Sequence, residues 1–357
     1  MPNSLFPIHI MLRRFFLNKF FILFTSVILV IVGCQSQPEI SESVYLNGAG
    51  ATFPLFLYQK WFQEYSQQHP NVQLNYQAIG SAAGIQQVVS ETIDFGASDV
   101  AMTDEEIEKV SKGVVLLPMT AGSVVITYNL PGIETGLKLS REVYSDIFLG
   151  KINRWNDSKI KALNPDINLP DLPILVVHRS DGSGTTAVFT KHLSAISSEW
   201  KNKVGSGVNV EWVAGVAMKS SSGVSAQIQQ QPGTIGYIES TYAQESNLST
   251  AALQNKAGNY IQSNTKTVTE ALRSKPLSDD LKVFITDPEG ENSYPIVTYT
   301  WLLAYKNYEE PSKAKVIKDV VQWCLSEGEK FVEELGYIPL PKDAVEKVKT
   351  ALEEIKS

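Results

Sequence analysis

Residues 174–196 read ILVVHRSDGSGTTAVFTKHLSAI. Residues 174–177 are aliphatic and have the length of a short buried strand. Arg179-Ser180-Asp181-Gly182-Ser183-Gly184-Thr185-Thr186 then breaks the apolar run with glycines and hydroxyls. From 188 to 196 the spacing of apolar residues is helical. Strand, polar turn and helix in succession form one unit of an α/β fold. The turn also sets the unpaired N–H groups and positive dipole end of a helix beside a guanidinium and several hydroxyls. That combination suits a bound anion.

Two more junctions have the same form. Gly48-Ala49-Gly50-Ala51-Thr52-Phe53-Pro54 follows a strand over 43–47 and precedes a helix over Leu55–Gln68. There Thr52 is expected to cap the helix, with Pro54 in its first turn. Gly80-Ser81-Ala82-Ala83-Gly84 lies between a strand over Val72–Ala78 and a helix from 85 to 89, with Ser81 the expected N-cap. A single junction of this kind often serves only as a tight turn. Three in one chain, one with an arginine, point together to an anion site. A fourth element is Asp94-Phe95-Gly96-Ala97-Ser98-Asp99. Thr103-Asp104-Glu105-Glu106 is a better cap for the next helix, which frees Asp99 for other work.

Strand-like runs at 114–118, 123–128 and 234–238 and helical runs at 329–335 and 343–355 continue the alternation, so the residues read as α/β with a largely parallel sheet. The length, 357 residues, fits about two domains. Residues near 121 and near 290 read as crossings between two lobes.

The N-terminus indicates export. Arg13, Arg14 and Lys19 precede an apolar run over 20–32 that is too short to span a bilayer. The run ends in Ile31-Val32-Gly33-Cys34, which resembles a bacterial lipobox. Residues 1–33 are then a lipoprotein signal peptide, Cys34 the lipidated residue and 34–42 a tether. An ordinary signal peptide with an incidental Cys34 is the other reading. Cleavage takes three positive charges from a formal net charge of −7, leaving −10. An acidic balance argues against a broad nucleic-acid surface. The other cysteine, Cys324, sits in an apolar helical run and reads as a buried thiol.

Several chemistries find no support. No Walker A or Gly-x-Ser-x-Gly pattern occurs, and Asp94-Phe95-Gly96 lacks the other kinase motifs. His69, His178 and His192 are not at metal spacing and read as structural or surface residues. Ser220-Ser221-Ser222-Gly223 reads as a plain helix cap, with some chance of lining a cleft.

Residues 48–53, 94–99, 146–152 with Trp155, 181–185 and 232–237 closely resemble the substrate-binding proteins of high-affinity phosphate ABC transporters. The resemblance runs from Val44 to the C-terminus. It implies a two-lobed periplasmic-binding-protein fold of type II, each lobe a mixed sheet flanked by helices, hinged by two crossings. One lobe would comprise 43–120 plus 290–357 and the other 121–289. It also implies that Thr52 and the N–H of Phe53 donate to phosphate, with Ser81, Ser183, Gly184 and Thr185. Arg179 would be the one direct cation, held by Asp181, and Asp99 would accept the ligand's proton. Ala82-Ala83 replace a more usual Ser-Gly in this family. No catalytic residue, cofactor or metal is implied. The implied partners are inorganic phosphate and a membrane permease with its ATPase. The protein would act as a monomer held at the membrane through Cys34, facing the periplasm or cell exterior.

The residues supply a reason for such a choice. Near neutral pH phosphate keeps a proton and sulfate keeps none, so one carboxylate facing the anion discriminates between them. Sites demanding one substrate hydrogen bond reject analogues lacking it by about 10⁴–10⁵. Hydrogen bonds to charged groups contribute roughly 1.5–3 kcal/mol each. Four or five of them therefore reach micromolar affinity, about 8 kcal/mol. The alternatives are a binding protein for another oxyanion and a phosphate-ester hydrolase.

Overall fold

The computed structural model describes residues 43–357; the signal peptide, lipidated Cys34 and tether expected over 1–42 lie outside the described residues. The strands in chain order are β1 (Val44–Gly50), β2 (Val72–Ala78), β3 (Phe95–Ser98), β4 (Val114–Tyr128), β5 (Lys138–Leu139) and β6 (Leu175–Arg179). There follow β7 (Val216–Met218), β8 (Thr234–Glu239), β9 (Ser249–Thr250), β10 (Ala252–Gln254), β11 (Tyr260–Ile261) and β12 (Val297–Tyr305).

Eight of these strands run in the order β2-β1-β3-β12-β4-β8-β6-β7, with β9 also on β4, while β11, β10 and β5 form a small sheet of their own. The long sheet is mixed. Strands followed by helices pair in parallel, as β1 does with β2 and β3, and β6 with β7 and β8. β12 and β4 are antiparallel to their neighbours. The largely parallel sheet expected from the alternation is thus interrupted by these two long strands. β4 pairs with β12 as far as Ser123 and with β8 from Val124 onward. The separate strands expected at 114–118 and 123–128 are one continuous strand, buried along its whole length.

Aromatic residues anchor both halves, and their polar tips find partners. Trp61 Nε1 donates to the Gly328 carbonyl at 2.8 Å, Trp155 to Gly233 at 3.0 Å and Trp301 to Leu281 at 2.8 Å. Cys324 is buried at the end of the Pro311–Cys324 helix, and burial pushes its thiol well above the ordinary range. His192 is buried and bonded to the Tyr144 hydroxyl at 2.8 Å, and His178 stacks on Trp212. Both are packing residues.

The first two junctions differ from expectation in a way that matters for the site. β1 extends through Gly50, so Gly48 and Gly50 belong to the strand rather than to a turn. They are glycine because β3 lies against them. A Cβ on Gly48 would fall 2.1 Å from the Phe95 ring, and one on Gly50 would fall 2.0 Å from the Ala97 carbonyl oxygen. Thr52 does not cap the next helix; Pro54 occupies the N-cap position and no side chain caps it. Ser81 is likewise the first helical residue rather than the cap, with Gly80 preceding it at φ 97°. The Thr52 and Ser81 hydroxyls are therefore free of capping duty.

Candidate functional site

The three junctions meet. Thr52 Oγ1 lies 3.2 Å from Arg179 Nη1, which donates to it, across 127 residues of chain. Gly184, at the start of the Gly184–Ile196 helix, packs against Ser81 and Asp99. A Cβ there would come within 2.5 Å of Ser81 Oγ and 2.9 Å of Asp99 Oδ2. The Ala82 N–H donates to the Gly182 carbonyl at 3.1 Å, which joins the second junction to the third. Thr52, Phe53, Ser81, Asp99, Arg179, Ser183 and Thr185 are all buried.

Each polar group is held by a local cause. Asp181 grips the guanidinium in bidentate fashion, with Nε to Oδ1 at 2.8 Å and Nη2 to Oδ2 at 2.5 Å. Burial alone would push the Asp181 carboxyl up, but Arg179 holds it below its ordinary value. Burial likewise disfavours the Arg179 charge, and Asp181 more than offsets it. This leaves Nη1 as the edge facing Thr52 and Ser221. Asp181 Oδ1 also accepts the Ser220 N–H at 2.9 Å. Ser220 itself sits at φ 64°, a conformation that costs a serine about 1–3 kcal/mol.

Ser183 caps the Gly184–Ile196 helix, its Oγ accepting the Thr186 N–H at 3.1 Å. The N–H groups of Gly184 and Thr185 belong to the first helical turn and so have no acceptor within the helix. The Thr185 hydroxyl is already engaged: it donates to Glu239 Oε1 at 2.5 Å. What Thr185 can donate to a ligand is its backbone N–H. Phe53 anchors the first junction, its carbonyl accepting from the Tyr337 hydroxyl at 2.7 Å.

Asp99 lies just beyond β3. Thr300 Oγ1 donates to its Oδ1 at 2.9 Å, and its own N–H donates to Ser81 Oγ at 3.2 Å. The Thr103 capping box forms with Glu106, so Asp99 caps nothing. Burial first, and the charge of Glu239 second, push the Asp99 carboxyl up to about 8.

Three participants were not legible as such. Ser221 lies 2.8 Å from Thr52 Oγ1 and accepts from Arg179 Nη1 at 2.9 Å. Its signal was the polar run before a helix, read mainly as a cap. Thr300 lies within β12, where nothing in the alternation marks it. Glu239 ends β8 and is fully buried, a rare position for a glutamate. The arrangement as a whole is a buried polar cluster with one guanidinium, helix-end N–H groups, hydroxyls and three carboxylates. It suits a small tetrahedral oxyanion that brings a proton.

Residues 37–328 match the PBP superfamily domain. The phosphate-binding protein PstS of Pasteurella multocida is 42% identical over 311 residues, covering 86% of this chain and 90% of that protein. The protein of the same name from Methanocaldococcus jannaschii is 41% identical over 349 residues, covering 88% and 89%. Among solved structures, the phosphate-binding protein from Stenotrophomonas maltophilia superposes with a TM-score of 0.70 at 18% identity, covering 86% of this chain and 94% of that one. A high-affinity periplasmic phosphate-binding protein (PfluDING), solved with phosphate at pH 8.5, superposes at 0.69 with 20% identity, covering 86% and 93%.

Proposed function

The chain belongs to the PstS phosphate-binding proteins of the PBP superfamily, and from that membership we propose that it captures inorganic phosphate between two lobes and delivers it to an ABC permease. The observation that carries the reading is the meeting of three chain-distant helix starts around Arg179, Asp99 and Ser81. Thr52, Ser81, Ser183 and the N–H groups of Phe53, Gly184 and Thr185 are the assigned donors. Arg179 is the cation, and Asp181 its support. Residues 43–120 with 290–357 form the first lobe on this reading and 121–289 the second, with Ser123/Val124 and the approach to β12 as the crossings.

The family is one of transport substrate-binding proteins. We assign no catalytic step, because the buried hydroxyls have no histidine base beside them: His178 and His192 are held in packing contacts. Export, anchoring through Cys34 and action as a monomer complete the assignment.

Isothermal titration of the purified protein tests it. Phosphate is expected to bind one-to-one, with a tenfold excess of sulfate displacing little of it, and phosphate esters are expected to turn over no faster than background. No heat with phosphate, or equal affinity for both anions, refutes the assignment.

A further inference from the structure

Thr52 and Ser221 form a pair with more protons than the protein can use. Both residues are buried, and their hydroxyl oxygens lie 2.8 Å apart. Arg179 Nη1 donates to each of them, at 3.2 Å to Thr52 Oγ1 and at 2.9 Å to Ser221 Oγ. Each hydroxyl brings one proton of its own. One of the two protons is used between the oxygens. The other has no acceptor among the described residues, because the third member of the cluster is a guanidinium and can only donate. A buried O–H without an acceptor is costly, and such a group suits a place where an acceptor arrives.

The direction of the shared bond decides which oxygen has the surplus proton. If Thr52 donates to Ser221, its only proton is taken and none is left for a ligand. If Ser221 donates to Thr52, both lone pairs of Thr52 Oγ1 are filled, by Ser221 and by Arg179, and its own proton is free to point at a ligand. Both partners are held in place from behind. The Tyr242 hydroxyl donates to the Thr52 carbonyl at 3.0 Å, and the N–H of Ser220, next to Ser221, donates to Asp181 Oδ1 at 2.9 Å. We propose that Ser221 is the positioning residue for Thr52: its hydroxyl donates to Thr52 Oγ1 and so makes Thr52 an obligate donor toward the bound anion. Ser221 does this without touching the ligand. The inference rests on the phosphate reading above, in which Thr52 donates to the ligand.

A double-mutant cycle on phosphate affinity tests it. Isothermal titration with inorganic phosphate at pH 7 compares the wild type, Ser221→Ala, Thr52→Val and the double variant. Ser221→Ala is expected to weaken binding about fivefold and Thr52→Val about tenfold or more, the losses of a neutral and of a charge-assisted hydrogen bond. The double variant is expected to bind within about twofold of Thr52→Val alone, because Ser221 then has nothing to orient. Ser221→Cys fills nearly the same space but donates only weakly, and it is expected to weaken binding as Ser221→Ala does. Losses that multiply in the double variant overturn the inference, since Ser221 then acts through Arg179 or on the ligand itself. So does wild-type affinity in Ser221→Cys, since the side chain then only fills space. Absence of phosphate binding by the wild type overturns instead the reading on which the inference rests.

Discussion

Asp99 shows how much burial alters a reading made from residue type. As an ordinary aspartate it would be ionised at neutral pH and would refuse sulfate by itself. Where it is buried, its carboxyl is pushed up to about 8, first by desolvation and then by Glu239. The sign follows directly. A carboxyl raised in the folded state stabilises that state most at low pH, and the contribution is lost as pH rises through about 8. On the proposed reading Asp99 accepts the proton that phosphate brings and sulfate lacks. Asp99→Asn, whose amide can donate to either anion, is expected to erode the preference for phosphate over sulfate by at least about tenfold at pH 7. Competition titration at pH 7 checks it, and undiminished exclusion of sulfate by the variant would move the selectivity away from Asp99.

At the scale of elements, helix bodies are readable, but the helix starts that meet at the site are not. The Leu55–Gln68 helix and the Val72–Ala78 strand have the bounds their apolar spacing predicts. The helices expected from 85 and from 188 begin instead at Ser81 and Gly184. Their first turns consist of serine, glycine, alanine and threonine, which carry no apolar period. Those turns line the proposed anion site, so the feature that hides them from periodicity is the one that exposes their N–H groups. Ser221 was obscured for the same reason, being in the first turn of the Ser220–Gln230 helix. Glu239 and Thr300 are different: strand position alone does not reveal what faces them across the cleft. Glycine substitutions separate closure from folding. Gly184→Ala adds a methyl group against Ser81 and Asp99, residues of the other lobe on the proposed division. It is expected to weaken phosphate binding at least about tenfold while leaving the ligand-free unfolding midpoint little changed, because an open cleft removes the clash. Gly50→Ala clashes within its own sheet, 2.0 Å from the Ala97 carbonyl oxygen and at φ 146°. It is expected to cost about 2 kcal/mol or more in urea unfolding. Equal loss of stability in both variants would mean that the halves do not separate.

At the scale of the molecule, the chain is acidic and its proposed cargo is an anion. The formal net charge is −7 over the full sequence and becomes more negative if the basic N-terminal segment is removed. Attraction has to be local, from Arg179 and the amide-lined helix starts, and it acts only once the ligand is inside. Outside, the summed field opposes approach, over about 30 Å at 0.01 M salt but only about 8 Å at 0.15 M. The association rate for phosphate is therefore expected to rise, about twofold to threefold, as sodium chloride is increased over that range. That is the reverse of an electrostatically steered anion site. The dissociation rate is expected to change much less, since a buried ligand is little screened. Stopped-flow fluorescence can read both rates, because Trp212 and Tyr237 stack close to Arg179. An association rate that falls with salt would reveal a positive funnel at the cleft mouth, and the view that recognition begins only at the helix ends would have to be abandoned.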